Sequence, residues 1–296
     1  MKKKIVIAGG TGFIGKYLHK RFNEVGYDVL IISRGLNYIN WNNEKTLTDA
    51  LEGAEALINL AGKSVDCRYN EKNKSVIVNS RVETTKRLQS IVDNCKCPPK
   101  LWINSSTATI YRHSEDKAMD EDTGEIGRGF SVEVAKAWEK AFFEKFSDNT
   151  RKVALRIAIT IGKDGGVMKP FINLVRYGLG GRQGNGKQMF SWLHIEDLFY
   201  IIRFVIENKN MEGVYNCAAP NPITNGIFMK EMRNILKPLI HLPSPKFLLN
   251  LGAYFINTEP ELILKSRWVI PKKLIQAGYI FKYPNIELAL ENILKK

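Results

Sequence analysis

The chain has 296 residues and a formal net charge of +14, and 44% of its residues are hydrophobic. This composition supports a sizeable buried core and excludes an intrinsically disordered chain. The lysines are scattered along the sequence, and the one short run, residues 2–4, has no interleaved aromatic residues. We therefore do not expect nucleic-acid binding.

No segment is typical of export or of a membrane span. The apolar run behind the N-terminal lysines is too short for a signal-peptide core. The most apolar late stretch, residues 247–256, has about ten residues, whereas a bilayer span needs about 20. We expect a soluble, cytoplasmic protein.

The cysteines and histidines do not form a metal-binding or redox pattern. Cys95 and Cys97 are separated by one residue, which is the spacing of neither a zinc site nor a thioredoxin motif. Cys67, Cys217 and the histidines are dispersed. We predict reduced thiols and no metal site.

Predicted strands and helices alternate through the first half of the chain. Residues 5–8 form an apolar, β-branched run without alternation, which is typical of a strand buried on both faces of a parallel sheet. The predicted strands are 5–8, 29–32, 56–60, 101–103, 153–159 and 214–217. The predicted helices, from apolar residues at three- and four-residue spacing, are 13–25, 76–92, 132–146 and 195–208.

This order of elements predicts an α/β fold, a Rossmann-like doubly wound parallel sheet with a smaller C-terminal substrate lobe. After about residue 163 glycines and prolines become frequent and the alternation ends. We therefore assign residues 1–163 to a dinucleotide-binding domain, to which residues 195–218 return. Residues 164–194 and 219–296 form the predicted substrate lobe.

A glycine-rich turn follows the first predicted strand and opens the first predicted helix. Gly9, Gly12 and Gly15 have the GxxGxxG spacing. The first permits a tight turn, the second lets a pyrophosphate approach the backbone, and the third allows close packing of helix on strand. The phosphates would sit on the helix N-terminus, where free N–H groups favour negative charge. The pattern predicts dinucleotide binding.

The end of the second strand indicates which dinucleotide. A site for NAD usually has Asp or Glu here, for the ribose 2′-hydroxyl. This chain has Ser33 and Arg34 instead, and an arginine can bind the 2′-phosphate of NADP with two hydrogen bonds. The sequence favours NADP over NAD, the alternative being that Arg34 is an ordinary surface residue.

Small residues at the end of the third strand, Asn59 to Gly62, would let the cofactor ribose lie close to the backbone. The alternative is an ordinary strand-to-loop turn, which has the same composition. The predicted cofactor-binding residues are Gly9, Thr11, Gly12, Phe13, Ile14, Gly15, Ser33, Arg34, Asn59, Leu60, Ala61, Gly62, Ser105 and Ser106.

Several motifs together resemble a known family. They are GGTGFIG at 9–15, NLAG at 59–62, NSR at 79–81, SSTATIY at 105–111, GLGGRQGNGKQMFSWLHIED at 178–197, NCAAPNPIT at 216–224 and PKKLIQAGYIFKYPNIELAL at 271–290. The chain resembles the atypical "epimerase family protein" branch of the extended short-chain dehydrogenases/reductases, within the NAD-dependent epimerase/dehydratase superfamily. Members have also been labelled cell-division-inhibitor-like. The resemblance implies an NAD(P)-dependent oxidoreductase or a nucleotide-sugar-epimerase type of fold, with a family-specific C-terminal region at about 245–294.

The resemblance also implies a catalytic pattern that this chain only partly keeps. In the wider superfamily a Ser or Thr at the end of the fourth strand acts with a Tyr-x-x-x-Lys pair on the next helix, and Thr107 fits the hydroxyl position. Counting back from Glu139, the glutamate that usually follows the pair, puts Ala135 at the Lys position and Ser131 at the Tyr position. Lys136 is one residue away from the Lys position.

Ser131 cannot replace a tyrosine, because an alkoxide is far too basic to form near neutral pH. The acid or base must come from elsewhere. Three of the candidates have a structural alternative: pocket packing for Tyr111, a solvated helix face for Lys136 and a helix cap for His194, with Asp197 in the same local network. The candidates are Thr107, Tyr111, Glu133, Lys136 and His194.

Four cations are candidates for binding an anionic substrate. Arg182 and Lys187 lie in the glycine-rich loop 178–188, whose backbone N–H groups can also bind phosphate or carboxylate. Arg68 and Arg81 are further candidates near the pocket. The alternatives are a flexible surface loop and ordinary surface ion pairs.

The sequence leaves two functions open. The first is an NADP-dependent oxidoreductase or epimerase acting on a small, anionic substrate. The second is an NADP-binding sensor or regulatory protein that has lost the catalytic pair and controls a partner. The sequence leaves open whether the chain is a monomer or a homodimer.

Overall fold

The protein is described from a computed structural model, which covers residues 2–145, 149–243 and 265–295. Three predictions fall partly or wholly outside these ranges. They concern the end of the predicted helix 132–146, the apolar stretch 247–256, and residues 245–264 of the predicted C-terminal region.

The elements alternate as predicted through the first half of the chain. The strands are β1 (Lys4–Ala8), β2 (Asp28–Ser33), β3 (Ile39–Asn40), β4 (Ala56–Asn59), β5 (Leu101–Thr107), β6 (Arg151–Ile157), β7 (Ile159–Gly162), β8 (Gly165–Gly166), β9 (Met189–Phe190), β10 (Trp192–His194), β11 (Gly213–Cys217) and β12 (Ile223–Thr224). The helices are α1 (Phe13–Glu24), α2 (Glu44–Leu51), α3 (Glu71–Asp93), α4 (Phe130–Phe143), α5 (Met168–Arg176), α6 (Ile195–Glu207), α7 (Asn225–Leu236), α8 (Lys272–Gln276) and α9 (Ile286–Leu294).

Seven strands form one parallel sheet in the order β11-β6-β5-β4-β1-β2-β3. β1 is an interior strand, and its Ile7 pairs with Ile31 of β2 on one side and Ile58 of β4 on the other. The chain runs outward from β1 through β2 and β3 and then returns to the opposite side of β1. In open α/β sheets, ligands bind where the strand order reverses in this way, at the carboxyl ends of the strands. The predicted fold class is confirmed.

Both faces of the sheet are covered, which explains the uninterrupted apolar runs of β1 and β4. Ile5 and Ile7 pack with Leu18 and Phe22 of α1 on one face, in a cluster that also includes α6. The alternate β1 residues pack on the other face against α2, α3 and α4, since successive strand residues point to opposite faces.

The edge of the sheet was not predicted from the sequence, and some predicted bounds are too short. Neither β3 nor α2 was predicted, although Asn43 caps α2 by accepting a hydrogen bond from Thr46 N. The fourth predicted strand ends at 103, whereas β5 continues to Thr107. Residues 104–106 are polar but buried, a combination that hydrophobic patterning does not detect.

Smaller sheets build a second layer beside the main one. β10, β7 and β8 form one sheet, and β12 pairs antiparallel with β9. Helices α5, α7 and α9 enclose an apolar cluster that includes Met168, Phe228 and Leu290, with Ile161 of β7 and Trp192 of β10. The division at residue 163 stays a prediction. Among the helices of the described ranges, none is long and apolar enough to cross a membrane.

Candidate functional site

The carboxyl edge of the sheet brings the predicted cofactor residues together. The glycine turn follows β1, Ser33 ends β2, and residues 59–62 lie at the end of β4. Thr107 ends β5, which pairs with β4. These segments surround the point where the strand order reverses, so sequence-distant motifs share one crevice.

Two of the three glycines are required by close packing. Gly9 has φ +78°, and a Cβ there would lie 2.8 Å from the amide nitrogen of Ala61 and the carbonyl carbon of Leu60. A Cβ at Gly15 would lie 2.5 Å from the Cα of Gly10. The turn therefore packs directly on the end of β4, and α1 packs directly on the turn.

Gly12 faces open space instead. Among the described residues other than its two chain neighbours, the one atom within 4 Å of a Cβ placed there is the carbonyl oxygen of Gly9, at 3.7 Å. Gly12 is the N-cap of α1, no side chain caps the helix, and its first turn contains no acidic residue. The first amides of a helix have no intrahelical partners and carry partial positive charge. This helix start can bind an anion, and side-chain bulk at Gly12 would obstruct it.

The side chains beside the turn have separate tasks. The ring of Phe13 packs against the β7–β8 hairpin, because a Cβ at Gly165 would lie 2.6 Å from Phe13 Cδ2 and one at Gly162 would lie 2.9 Å from Phe13 Cζ. Ile14 packs on the core beneath α1. These two residues therefore offer a ligand their backbone amides, while Phe13 joins the turn to the second layer.

At the end of β2, the hydroxyls of Ser33 and Thr11 lie 3.2 Å apart. Ser33 is buried, and the neighbouring Arg34 is exposed. Arg34 makes no ion pair with any residue of the described ranges. An exposed arginine that directly follows Ser33 at this edge suits a phosphate, since arginine binds phosphate through two parallel hydrogen bonds.

Asn59 was predicted to contact the cofactor, but its side chain is fully buried in a hydrogen-bond network. Its amide donates to Asn104 Oδ1 at 2.7 Å and to Thr85 Oγ1 at 3.1 Å, and its own Oδ1 accepts from Ala61 N at 3.0 Å. Trp138 Nε1 also donates to Thr85. The network fixes the backbone at the end of β4. Asn59 therefore positions the residues that line the crevice and does not contact a ligand with its side chain.

Arg81 lies against that same turn. A Cβ at Gly62 would lie 3.0 Å from Arg81 Cζ, and the guanidinium lies 5.1 Å from the ring centroid of Trp138. Its Nη1 donates to the carbonyl oxygens of Lys63 and Ile77, both at 3.0 Å. Burial lowers the pKa of Arg81 to about 10, so it remains charged at neutral pH. No carboxylate of the described ranges forms an ion pair with it.

Tyr111 was predicted as a proton carrier, but it is 2% exposed and bound on both sides. Its hydroxyl donates to Asn216 Oδ1 at 3.0 Å and accepts from Arg156 Nη1 at 2.9 Å. Burial raises the pKa of Tyr111, and Arg156 only partly offsets this. This placement argues against the catalytic assignment and favours a structural one, because the hydroxyl is committed within the protein.

Arg156 also joins the end of β5 to α4. It forms a two-point ion pair with Glu139, and Ser106 Oγ donates to the same carboxylate at 2.6 Å. The hydroxyl of Ser106, a predicted cofactor contact, is therefore already used inside the protein. Ser105 is buried beside it.

Hydrogen bonds between Gln183 and Asn225 hold the loop 178–188 against α7. Gln183 N donates to Asn225 Oδ1 at 3.0 Å, and Asn225 Nδ2 donates to Gln183 Oε1 at 2.8 Å. Arg182 and Lys187 are exposed on this loop. Arg68 lies half-buried ahead of α3.

His194 caps α6, as the structural alternative predicted. Its Nδ1 accepts from Glu196 N at 3.1 Å, and its ring lies 3.9 Å from that of Tyr283. Burial lowers the pKa of His194 to about 4, so the ring is neutral. The buried Asp197 accepts from the amides of Lys282 and Tyr283, which holds the C-terminal region on α6.

All four cysteines are free thiols. Across the three described ranges, no group of three or more His, Cys, Asp or Glu side chains is arranged to hold a metal ion.

The family model of the NAD dependent epimerase/dehydratase family matches residues 5–218, which is well over half of the chain. The chain belongs to this family. A second model, of a domain of unknown function (DUF1731), matches residues 244–293. The family resemblance indicated by the sequence motifs is confirmed.

Full-length relatives of this epimerase/dehydratase family member exist in bacteria and animals. The chain is 32% identical to the epimerase family protein YfhF of Bacillus subtilis over 300 residues, which cover 98% of this chain and 97% of the relative. The crystal structure of human epimerase family protein SDR39U1 with NADPH has a TM-score of 0.90 and 31% identity, with 99% of each chain covered. A nucleoside-diphosphate sugar epimerase from Corynebacterium glutamicum has a TM-score of 0.80 and 26% identity, covering 99% of this chain and 58% of that one.

On α4 of this epimerase/dehydratase family protein, the expected Tyr-x-x-x-Lys positions carry no acid or base. Ala135 is fully buried at the Lys position and Ser131 is at the Tyr position. Lys136 is exposed, and its Nζ lies 3.2 Å from both carboxylate oxygens of Glu133. The pair lies on the solvated face, which argues against a catalytic role for Lys136. Thr107 is half-buried at the end of β5 and accepts from Thr109 N.

Neither the ion pair of Arg156 with Glu139 nor the amide pair of Gln183 with Asn225 was predicted from the sequence. Polar residues in strand and loop segments were the available signal, but pattern alone does not reveal their partners. Tyr69 was also not predicted as a site residue, and its ring lies 4.9 Å from that of Phe130 at the start of α4.

Proposed function

We propose that this protein binds NADP(H) at the start of α1 and transfers a hydride between the nicotinamide and a small, anionic carbonyl or alcohol substrate. The observation that carries the proposal is the open N-terminus of α1 at Gly12, beside a turn packed on β4. Free amides at that position suit a pyrophosphate. The solved human relative, 31% identical, was crystallised with NADPH, which supports the same cofactor here.

The residues present fit this cofactor. The amides of Phe13 and Ile14 would hold the pyrophosphate, and Gly12 leaves it room. Arg34 with Ser33 and Thr11 would hold the 2′-phosphate of NADP. The bound dinucleotide supplies or accepts the hydride.

In this proposal, basic side chains attract the anionic group of the substrate. Arg81 beside Gly62, together with Arg68, would attract a substrate anion. Arg182 and Lys187 on the loop 178–188 would add to the positive electrostatic potential there. Thr107 at the end of β5 would donate a hydrogen bond to the substrate oxygen in place of the one that its Oγ1 now donates to Thr109 Oγ1 at 3.0 Å. Neither Tyr111 nor Lys136 is included, for the reasons of burial and exposure given above.

The test of the cofactor assignment compares NADPH with NADH by fluorescence titration. We expect the wild-type protein to bind NADPH more tightly, and Arg34→Asp to weaken NADPH much more than NADH. Arg87→Asp is the matched control, since Arg87 is an exposed arginine of α3 and the charge change is identical. Equal affinities of Arg34→Asp and wild type for NADPH would remove the NADP assignment. A wild-type protein that binds neither dinucleotide would remove the whole proposal.

A sensor function is the second candidate, favoured by the absence of the catalytic pair from α4. Incubation with NADPH and a panel of aldehydes, ketones and nucleotide sugars separates the two functions. Turnover that is lost in Thr107→Ala supports the enzyme. Tight NADPH binding without turnover supports the sensor. The cytoplasmic location and the domain division remain predictions from the sequence.

A further inference from the structure

We propose that Thr109 is a positioning residue that holds the hydroxyl of Thr107 ready for the substrate oxygen, and that residues 265–267 of the C-terminal region hold Thr109. This inference rests on the proposed function, in which Thr107 donates a hydrogen bond to the substrate oxygen. It gives the C-terminal region a part in the chemistry, although that region is distant in sequence from the end of β5.

Thr109 makes two hydrogen bonds with the hydroxyl of Thr107. Thr109 N donates to Thr107 Oγ1 at 3.2 Å, and Thr107 Oγ1 donates to Thr109 Oγ1 at 3.0 Å. Among the residues that the structure describes, Thr107 Oγ1 forms no other hydrogen bond. A hydroxyl that is held at both its donor and its acceptor side keeps one side-chain rotamer. The bond from the amide remains when the hydroxyl hydrogen turns to a substrate.

The acceptor that Thr109 offers is one that a substrate can replace. The neighbouring hydroxyls are bound more strongly, since Ser106 donates to the carboxylate of Glu139 and Tyr111 is bound on both sides. Thr107 donates to a neutral hydroxyl instead. A substrate oxygen that gains negative charge as hydride arrives accepts a hydrogen bond more strongly than a neutral oxygen does. Of these three hydroxyls, that of Thr107 is therefore the one that can turn to the substrate.

Two basic side chains of the C-terminal region hold Thr109. Lys265 Nζ donates to the carbonyl oxygen of Thr109 at 2.9 Å, and Arg267 Nε makes a longer bond to Thr109 Oγ1, at 3.4 Å. Thr109 lies in a 3₁₀ turn at residues 108–110, whose closing backbone hydrogen bond is 3.4 Å long, so the turn by itself is weakly held. Because an arginine can only donate, Thr109 Oγ1 keeps a donor after Thr107 turns to the substrate.

The segment that carries these side chains is fixed on both sides. Towards the chain that follows β5, Ser266 N donates to His113 Nδ1 at 3.1 Å. Towards β9, Met189 N donates to Ser266 Oγ at 2.8 Å, and Arg267 N donates to Met189 O at 2.9 Å. The side chains that reach Thr109 therefore start from a backbone that is itself held in place.

The first test measures the side-chain rotamer of Thr107. In ¹³C- and ¹⁵N-labelled protein, the methyl resonance lost in Thr107→Ser belongs to Thr107, and its three-bond couplings to the backbone nitrogen and carbonyl carbon report the χ1 angle. We expect one rotamer in the wild type, averaging between rotamers in Thr109→Val, and one rotamer again in Thr109→Ser, which restores the hydroxyl. Thr48→Val is the control, because Thr48 is a half-buried threonine of α2 whose hydroxyl donates to a carbonyl of its own helix. A single, unchanged rotamer in folded Thr109→Val overturns the proposal.

The second test measures how firmly the C-terminal region holds Thr109. Lys265→Met removes the ammonium group and should speed hydrogen exchange of the Thr109 amide at least about tenfold, because the turn then opens more often. Lys282→Met is the control, since it removes a lysine of the same region that pairs with Glu196 of α6 instead. Equal exchange rates in folded Lys265→Met and wild type overturn the role of residues 265–267.

The kinetic test follows NADPH oxidation with 4-carboxybenzaldehyde, a small anionic carbonyl compound. Thr109→Val should lower kcat about tenfold, the order expected for one hydrogen bond, and leave the Kd for NADPH unchanged. Thr109→Ser should recover most of kcat. An unchanged kcat in Thr109→Val overturns the proposal. A wild type that binds NADPH without reducing the aldehyde counts against the proposed hydride transfer, and the rotamer of Thr107 then still decides whether Thr109 holds it.

Discussion

Arg156 and Glu139 form a two-point ion pair between β6 and α4. Arg156 Nε donates to Glu139 Oε1 at 2.9 Å and Nη2 donates to Oε2 at 2.8 Å, and the side chains are 11% and 12% exposed. Burial alone would lower the pKa of Arg156, but the hydrogen bonds and charge of Glu139 raise it. Because Ser106 and Tyr111 bind the same pair, it holds together α4, the carboxyl end of β5 and the carboxyl end of β6.

Glu139→Gln should destabilise the protein strongly. The substitution keeps the side-chain shape but leaves the guanidinium of Arg156 buried without a compensating charge, which costs about 3 kcal/mol of the free energy of unfolding. Urea denaturation measures the loss. Glu133→Gln on the exposed face of the same helix is the control and should cost less than about 0.5 kcal/mol. Similar losses in the two variants would contradict the structural role of the buried pair.

Tyr111→Phe should behave as a stability variant and not as a catalytic one. Removing the hydroxyl leaves Asn216 and Arg156 each short of one buried partner, at a cost of about 2 kcal/mol. Below the unfolding temperature, the affinity for NADPH should match the wild type. If carbonyl reduction is measurable, its kcat should change less than in Thr107→Ala. A large loss of kcat at unchanged stability would return Tyr111 to the catalytic site.

Two glycine variants should separate ligand binding from folding. Gly12→Val places its side chain in open space on extended backbone, so the free energy of unfolding should change by no more than about 1 kcal/mol. Its affinity for NADPH should fall at least about tenfold, or about 1.4 kcal/mol. Gly15→Ala places a Cβ against the backbone of Gly10 and should cost about 2 to 3 kcal/mol of stability. Equal NADPH binding by Gly12→Val and wild type would exclude the helix start as the phosphate site.

His194 should make stability fall in mild acid. Its Nδ1 can accept from Glu196 N only while the ring is neutral. The pKa is about 4 in the folded protein and about 6.5 in the unfolded chain, so between these values the unfolded state binds more protons. Stability therefore decreases as the pH falls from about 6.5 to about 4, by about 3 kcal/mol in total.

The control for this pH effect is His194→Asn, which keeps a side-chain oxygen for the cap of α6 but does not titrate. The stability difference between wild type and variant should change across that pH range and be constant above about pH 7. A difference that is constant throughout would show that His194 is not held neutral.

Local patterns in the sequence determined the parts of the molecule that depend on neighbours in the chain. The buried strands were recognisable because β1 and β4 are apolar on both faces. The glycine turn was recognisable because residues without a side chain are needed at fixed spacing where strand, turn and helix meet. Both follow from steric limits that act within a few residues.

The tertiary structure alone decided what the polar side chains do. Asn59, Tyr111 and Lys136 had the composition of site residues, yet strand order and helix rotation placed the first two in buried networks and the third in solvent. Tyr69 was unremarked in the sequence and lies beside the start of α4, 61 residues further along the chain. The role of a polar group depends on which sequence-distant residue it contacts, and packing across the sheet determines those contacts.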